Sequence, residues 1–190
     1  MHIYRDNKIP LHTQGFSLIE TLVAIMLLIT AVSGVLTVAS KSLYLTSVAR
    51  EQLTAFYLAQ EPIENIRNVR DSNRLQTSAT PWLTHLSECV SADGSLKCII
   101  DRITEGGYPP SANAIVTCGA LCPQISFSPS RGLYSYAGGS DWAASKFVRT
   151  TSVITPIGTN ADEARIDVTV SWPVGTVTRS VTIREYISNW

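Results

Sequence analysis

The stretch GFSLIETLVAIMLLITAVSGVLTVASK, residues 15–41, does not fit its surroundings. From Phe16 to Ser40 it is almost wholly apolar, and residues 21–40 contain no charged side chain. About 20 such residues in a helix cross the hydrocarbon core of a bilayer, so the segment reads as a membrane-spanning helix. One carboxylate, Glu20, sits inside its amino end, four residues after Phe16, and a polar stretch of fifteen residues precedes it. Burying an acid near the start of a membrane helix costs on the order of 1–3 kcal/mol unless it is paired. The acid asks for a partner.

Two ordinary readings account for part of this. A secretory signal has a basic start, here Arg5 and Lys8, an apolar run and a small-residue cleavage site, for which AVS (31–33) and VAS (38–40) would pass. The run is longer than the roughly 7–15 residues such signals use. A plain single-span anchor, with Arg5 and Lys8 holding the N-terminus in the cytoplasm, explains everything except Glu20.

The third reading uses every odd feature. GFSLIETLVAIMLL (15–28) resembles the class III signal of type IV pilins and type II secretion pseudopilins, the prepilin family. The match runs through a small residue, an aromatic, a short hydroxyl, two aliphatics, an acid, a hydroxyl and an unbroken apolar helix. The resemblance implies cleavage after Gly15 by a prepilin peptidase/methyltransferase on the cytoplasmic face, then N-methylation of the new terminal residue, Phe16. It implies further that Glu20 meets the Phe16 amine of an adjacent subunit and sets the axial register of a filament. The local chemistry agrees. Gly15 leaves an extended backbone free ahead of the helix, and an ion pair in low dielectric is strongly oriented.

The totals exclude other classes. The 190 residues suffice for one domain plus an appendage. Fifteen basic and fifteen acidic side chains cancel, with no Lys/Arg run, so no nucleic-acid partner is expected. Two of the three histidines, His2 and His12, lie in the leader, leaving His85. HExxH, G-x-S-x-G, phosphate-loop and dinucleotide fingerprints are all missing, so neither catalysis nor a cofactor is expected. Asp93 and Asp162 lie in loops whose spacing does not match a calcium loop, and no metal site is assigned. Cys89, Cys98, Cys118 and Cys122 lack a CxxC unit; an even number in an exported region suggests two disulfides. Zinc and free thiols are the alternatives, and the pairing is left open.

Beyond the span, REQLTAFYLAQEPIENIRNVRDSN repeats apolar residues at spacings of three and four: Leu53, Phe56, Tyr57, Ile63, Ile66 and Val69. Glu51, Gln52, Glu61, Glu64, Arg67 and Arg70 fall on the opposite side. Pro62 is expected to kink this helix without ending it. A rod over 16–71 would extend on the order of 80 Å at about 1.5 Å per residue.

Residues 72–146 mix short apolar runs with turn signals. LKCIIDRI, AIVTC and GLYSY read as short strands, and SADGS, GGYPPS and YAGGSD as turns. Trp82, Tyr108, Tyr134, Tyr136 and Trp142 are read as core in preference to a ligand surface. From 147 onward the alternation is clear in KFVRTTSVITPI, ARIDVTVSWPV and TVTRSVTIREYI. Ile166, Val168, Val170 and Trp172 share one face, and Val177, Val181, Ile183 and Tyr186 or Ile187 pack from the last strand. The face of the first of these strands stays open. The last hairpin also resembles that of minor pilins and I-type pseudopilins.

The expected architecture is α+β and pilin-like, a long N-terminal hydrophobic α-helix packed on a C-terminal antiparallel β-sheet. Residues 1–15 form a leader and 16–71 the helix, membrane-spanning or filament core over 16–40 and amphipathic over 41–71. Residues 72–190 form a head, with a variable Cys-containing region (72–146) and antiparallel strands (147–190). The expected function is a structural subunit of a type IV pilus or type II secretion pseudopilus. It would be held first in the inner membrane with its head outside, and its partners would be other pilin subunits. The alternative is a single-pass, membrane-anchored extracellular binding module that does not polymerise.

Overall fold

The structure, a computed structural model, describes residues 15–76, 80–101, 115–119 and 121–190. Its element order is one helix, α1 (Leu18–Gln76), followed by eight strands. The strands are β1 (Val90–Ser91), β2 (Cys98–Ile100), β3 (Ile115–Thr117), β4 (Gln124–Ser128), β5 (Leu133–Ser135), β6 (Ala143–Ile154), β7 (Glu163–Val174) and β8 (Val177–Ser188). The chain divides into two compact units, Met1–Val48 and Ala49–Trp190.

In the first unit, every residue from Gly15 to Ser47 is exposed. The hydroxyls of this stretch are satisfied inside the helix. Thr30 Oγ1 donates to Met26 O at 3.0 Å, Ser33 Oγ to Ile29 O at 2.7 Å, Thr37 Oγ1 to Ser33 O at 2.9 Å and Ser40 Oγ to Leu36 O at 2.9 Å. Over residues 21–40, with backbone and these hydroxyls consumed internally, the surface left is mostly hydrocarbon. The helix is long and apolar enough to cross a membrane, with a mean hydropathy of 2.5 over its most apolar window.

In the second unit, α1 packs on an antiparallel sheet. Its buried face is Ala55, Leu58, Ala59, Pro62, Ile63, Ile66, Val69 and Asn73, at the three- and four-residue spacing of one helical side. Ile63, Ile66 and Val69 are buried as expected, and the earlier half of the expected face is corrected. Leu53, Phe56 and Tyr57 are 54%, 41% and 61% exposed. The small residues Ala55 and Ala59 are both fully buried, while the larger Phe56 and Tyr57 between them turn outward. The charges are corrected too, since Glu51, Glu61, Arg67 and Arg70 do not face away from the sheet. They flank the buried stripe and reach strand residues. The helix continues past Pro62 and past residue 71 to Gln76.

β6, β7 and β8 form the meander expected from the sequence, antiparallel throughout. The far side of β6 is shared along its length by β4, by β2 and, in parallel, by β1. β3 extends β2, and β5 extends β4. β1 and β4 were not anticipated. Burial of Phe147, Arg149, Thr151 and Val153 settles the face of β6, and Ile166, Val168, Val170 and Trp172 are buried as expected. In β8, Ile187 is buried, and Val181 and Ile183 pack partly on the core. Of the alternatives Tyr186 and Ile187 it is Ile187 that packs, since Tyr186 lies on the opposite face and is 59% exposed; Val177, expected to pack, is 61% exposed beside the hairpin turn of an edge strand. The β7–β8 turn spans Gly175 and Thr176, with Gly175 at φ 62°, the left-handed backbone that a two-residue hairpin favours.

Candidate functional site at the amino end of the helix

Gly15, Phe16 and Ser17 precede the helix in non-helical backbone, and α1 begins at Leu18. Ser17 is its cap. Glu20 N donates to Ser17 Oγ at 3.3 Å, and Thr21 N to Ser17 O at 3.2 Å. Thr21 Oγ1 returns to Leu18 O at 2.8 Å. Ser17-Leu-Ile-Glu20 is thus the S-x-x-E pattern of a capping box, a signal present in the sequence and not used in reading it. Phe16 is 80% exposed, and Gly15 has no atom within 4 Å of where a Cβ would stand. The Glu20 carboxylate has no partner among the described residues. Gly15, Phe16 and Glu20 therefore lie together within one turn of the helix start. The leader residues 1–14 lie outside the described residues.

The four cysteines form two disulfides, Cys89–Cys98 and Cys118–Cys122. Each closes a short loop, with sequence separations of 9 and 4. Cys89 and Cys98 are fully buried in the core, and Cys98 stands opposite Thr151 of β6.

One polar cluster inside the head was not legible in advance. Arg149 of β6 is 2% exposed. Its Nη1 donates to Leu58 O at 3.0 Å and Glu61 Oε2 at 2.7 Å, and its Nη2 to Ile100 O at 2.6 Å. The Tyr136 ring lies 5.5 Å from the guanidinium, and burial raises the Tyr136 hydroxyl above the usual tyrosine range, partly offset by Arg149. The reason for a buried cation lies in α1. Leu58 O would accept from the N–H four residues on, but that residue is Pro62, which has none. Arg149 supplies the missing donor.

Other charged groups clamp α1 to the sheet. Glu51 accepts from Trp172 Nε1 at 3.2 Å and pairs with Lys146. Arg67 pairs with Glu185 on β8 and with Glu64 at 2.7 Å. Arg74 donates to Trp190 O at 2.8 Å.

Two open clefts flank α1 in the head. One, of ≈ 390 Å³, is lined by Thr54, Tyr57, Leu58, Glu61, Gly132, Leu133 and Tyr134. The other, of ≈ 400 Å³, is lined by Ala49, Gln52, Leu53, Phe56 and Val181. Of the aromatics weighed as core, Trp82 joins the core, Tyr134 and Tyr136 pack against it, and Trp142 lies 5.8 Å from the Arg131 guanidinium. Tyr108 lies outside the described residues. Asp93 accepts from Ser95 N at 2.9 Å and Asp162 from Asn189 Nδ2 at 2.9 Å, so both acids are used locally. Among the described residues, no three His, Cys, Asp or Glu side chains gather as a metal site.

No protein-family model, curated protein or solved structure matches the chain.

Proposed function

We propose that this chain is a prepilin-like structural subunit, a minor pilin or pseudopilin built into a type IV pilus or a type II secretion pseudopilus. A peptidase cuts after Gly15 and methylates Phe16. The subunit waits in the inner membrane with its head outside and then enters the filament through its apolar helix. The chain has no catalytic role of its own. The observation that supports this most is the arrangement at the helix start. The Gly15–Phe16 bond lies in non-helical backbone and is followed, in the first turn of an apolar helical stretch exposed as far as Ser47, by a carboxylate that has no partner among the described residues.

Cleavage creates an ammonium on Phe16, and the carboxylate of Glu20 on a neighbouring copy neutralises it. Buried ion pairs are best attested in setting register, which is the role given to this one. N-terminal sequencing and intact mass of the mature protein test the reading. A chain starting at Phe16 and carrying one added methyl group supports it. A start near residue 34 or 41 would mean a secreted soluble protein, and an uncut chain would mean an anchored binding module.

A further inference from the structure

We propose that the free edge of β8 is a pairing surface for a second copy of this chain, joined antiparallel and strand to strand about Thr182. The inference goes beyond the filament reading and does not rest on it. β8 pairs with β7 over its whole length and with no other strand among the described residues. Alternate residues along its 12-residue length therefore turn their backbone N–H and C=O groups to the other side, where no strand among the described residues meets them. Long edges are usually blunted by a bulge, a proline, a covering segment or inward-pointing charges. Among the described residues β8 has no bulge, proline or covering strand: its register with β7 runs unbroken from Val177 to Ser188, and the nearby Pro173 belongs to β7. Its two inward-side charges, Arg179 and Glu185, are opposite in sign and so guard against other strands more than against a copy of this one.

The side chains fit a copy of themselves. The face of β8 turned toward α1 carries, in order, Val177, Arg179, Val181, Ile183, Glu185 and Ile187, fixed by their pairing with buried residues of β7 and by the Arg67–Glu185 contact. From either end this reads aliphatic, charged, aliphatic, aliphatic, charged, aliphatic, with the charge reversed. A second β8 laid antiparallel with Thr182 opposite Thr182 sets Arg179 against the partner's Glu185, Val181 against the partner's Ile183 and Val177 against the partner's Ile187. On the outer face, Ser180 meets the partner's Arg184 and Thr178 the partner's Tyr186, with no like charges opposed. Sliding by two residues strands both charges opposite aliphatics, and sliding by one sets inner residues against outer ones. One register satisfies all of them.

Two further observations point the same way. Arg179 is exposed and has no partner among the described residues, and Glu185 uses Oε1 alone for Arg67. Beside β8, the cleft lined by Leu53, Phe56 and Val181 leaves an uncovered apolar strip at the rim of the core. A partner strand brings its own Val181 and Ile183 to that rim, and two-fold symmetry covers both strips at once. The axis is perpendicular to the sheet, so the α1 segments packed on the two sheets run antiparallel. The contact closes on itself and links two copies from opposed assemblies; it does not extend one filament.

Site-directed crosslinking of the full chain in detergent micelles tests this. All four native cysteines are paired, so an introduced thiol is the one free thiol. Thr182→Cys should form at least about tenfold more covalent dimer than Thr178→Cys, whose thiols would stand about 27 Å apart at about 3.3 Å per residue. Mixing Thr178→Cys with Tyr186→Cys should give a crosslinked pair. Arg179→Glu, which opposes the partner's Glu185, should cut the Thr182→Cys yield by about tenfold, and Arg179→Ala by less. Equal crosslinking at 182 and 178, or a yield indifferent to Arg179→Glu, overturns the proposal and assigns any association to the apolar helices.

Discussion

At Glu20 two effects of unequal size meet. In the first turn, which Ser17 caps, its charge near the amino end of α1 is favourable by about 0.3–1 kcal/mol in water. In a membrane the same charge costs on the order of 1–3 kcal/mol. Capping does not offset burial, so the carboxylate needs a cation. Glu20→Leu should leave membrane insertion intact and stop filament incorporation, read by comparing membrane and sheared-filament fractions; equal incorporation would remove the register role. At Arg149 the size of the effect follows from what it satisfies. Arg149→Met strands Glu61, Leu58 O and Ile100 O and should cost about 3–5 kcal/mol in urea unfolding. In a Pro62→Ala background the helix regains its own donor for Leu58 O. The same substitution should then cost about 1 kcal/mol less, a coupling that a double-mutant cycle reads directly. Asp141 carries a pH dependence. The Ser128 and Ser130 hydroxyls, donating at 2.6 and 2.7 Å, hold its carboxyl below the usual range, with a smaller contribution from Arg131. The folded state binds that proton more weakly than the unfolded chain. Its stabilisation is therefore complete above the ordinary Asp value of about 3.9 and is lost as pH falls through that value toward the lowered one. Melting temperatures measured downward from pH 5 should drop more steeply for the wild-type chain than for Asp141→Asn.

At the level of elements, what the sequence made legible depended on how many residues shared one signal. The helix and the β6–β8 meander each rest on a dozen or more positions of consistent period, and both were readable. The choice of buried face on α1 was not. Ala55 and Ala59 carry little hydrophobic weight in a pattern, yet both are fully buried, while Leu53, Phe56 and Tyr57, which carry more, are exposed. β6 was ambiguous because Arg149 and Thr151 sit on its buried face, where alternation calls for apolar residues. Its logic lies in the proline of another element, which no local pattern can carry. β1, with two residues, gives no period at all. The disulfides also act at this scale. Closing loops of 9 and 4 residues predicts about 2.5 kcal/mol for Cys89–Cys98 and about 2 kcal/mol for Cys118–Cys122 from chain entropy. Burial of the first pair in the core widens the gap. Paired Cys→Ala variants compared in urea should keep that order, and a larger loss at Cys118–Cys122 would reverse the assignment of which bridge supports the core.

On the scale of the whole chain, the two compact units divide the work. Every residue of the hydrophobic core lies in Ala49–Trp190, and none in the first unit. A chain lacking residues 1–48 should therefore remain folded without detergent and melt within a few degrees of the full chain by circular dichroism; collapse of the truncated head would show that the apolar segment contributes to its core. The uncharged run over 21–40 lies wholly within the first unit, but the boundary at 48/49 coincides with neither residue 40 nor residue 71, where the sequence pattern changes. The layout of residues 72–146 was not legible, because a region stapled by two short disulfide loops needs little periodic hydrophobic sequence to hold its shape.

The guanidinium inserted at the proline break also indexes the helix. Advancing α1 along the sheet by one turn would pull the vacant carbonyl off its only donor and leave the cation facing a carbonyl already bonded. A tug applied along the helix would thus meet this latch, together with the Glu51–Lys146 and Arg67–Glu185 pairs, before the greasy contacts around them began to slip.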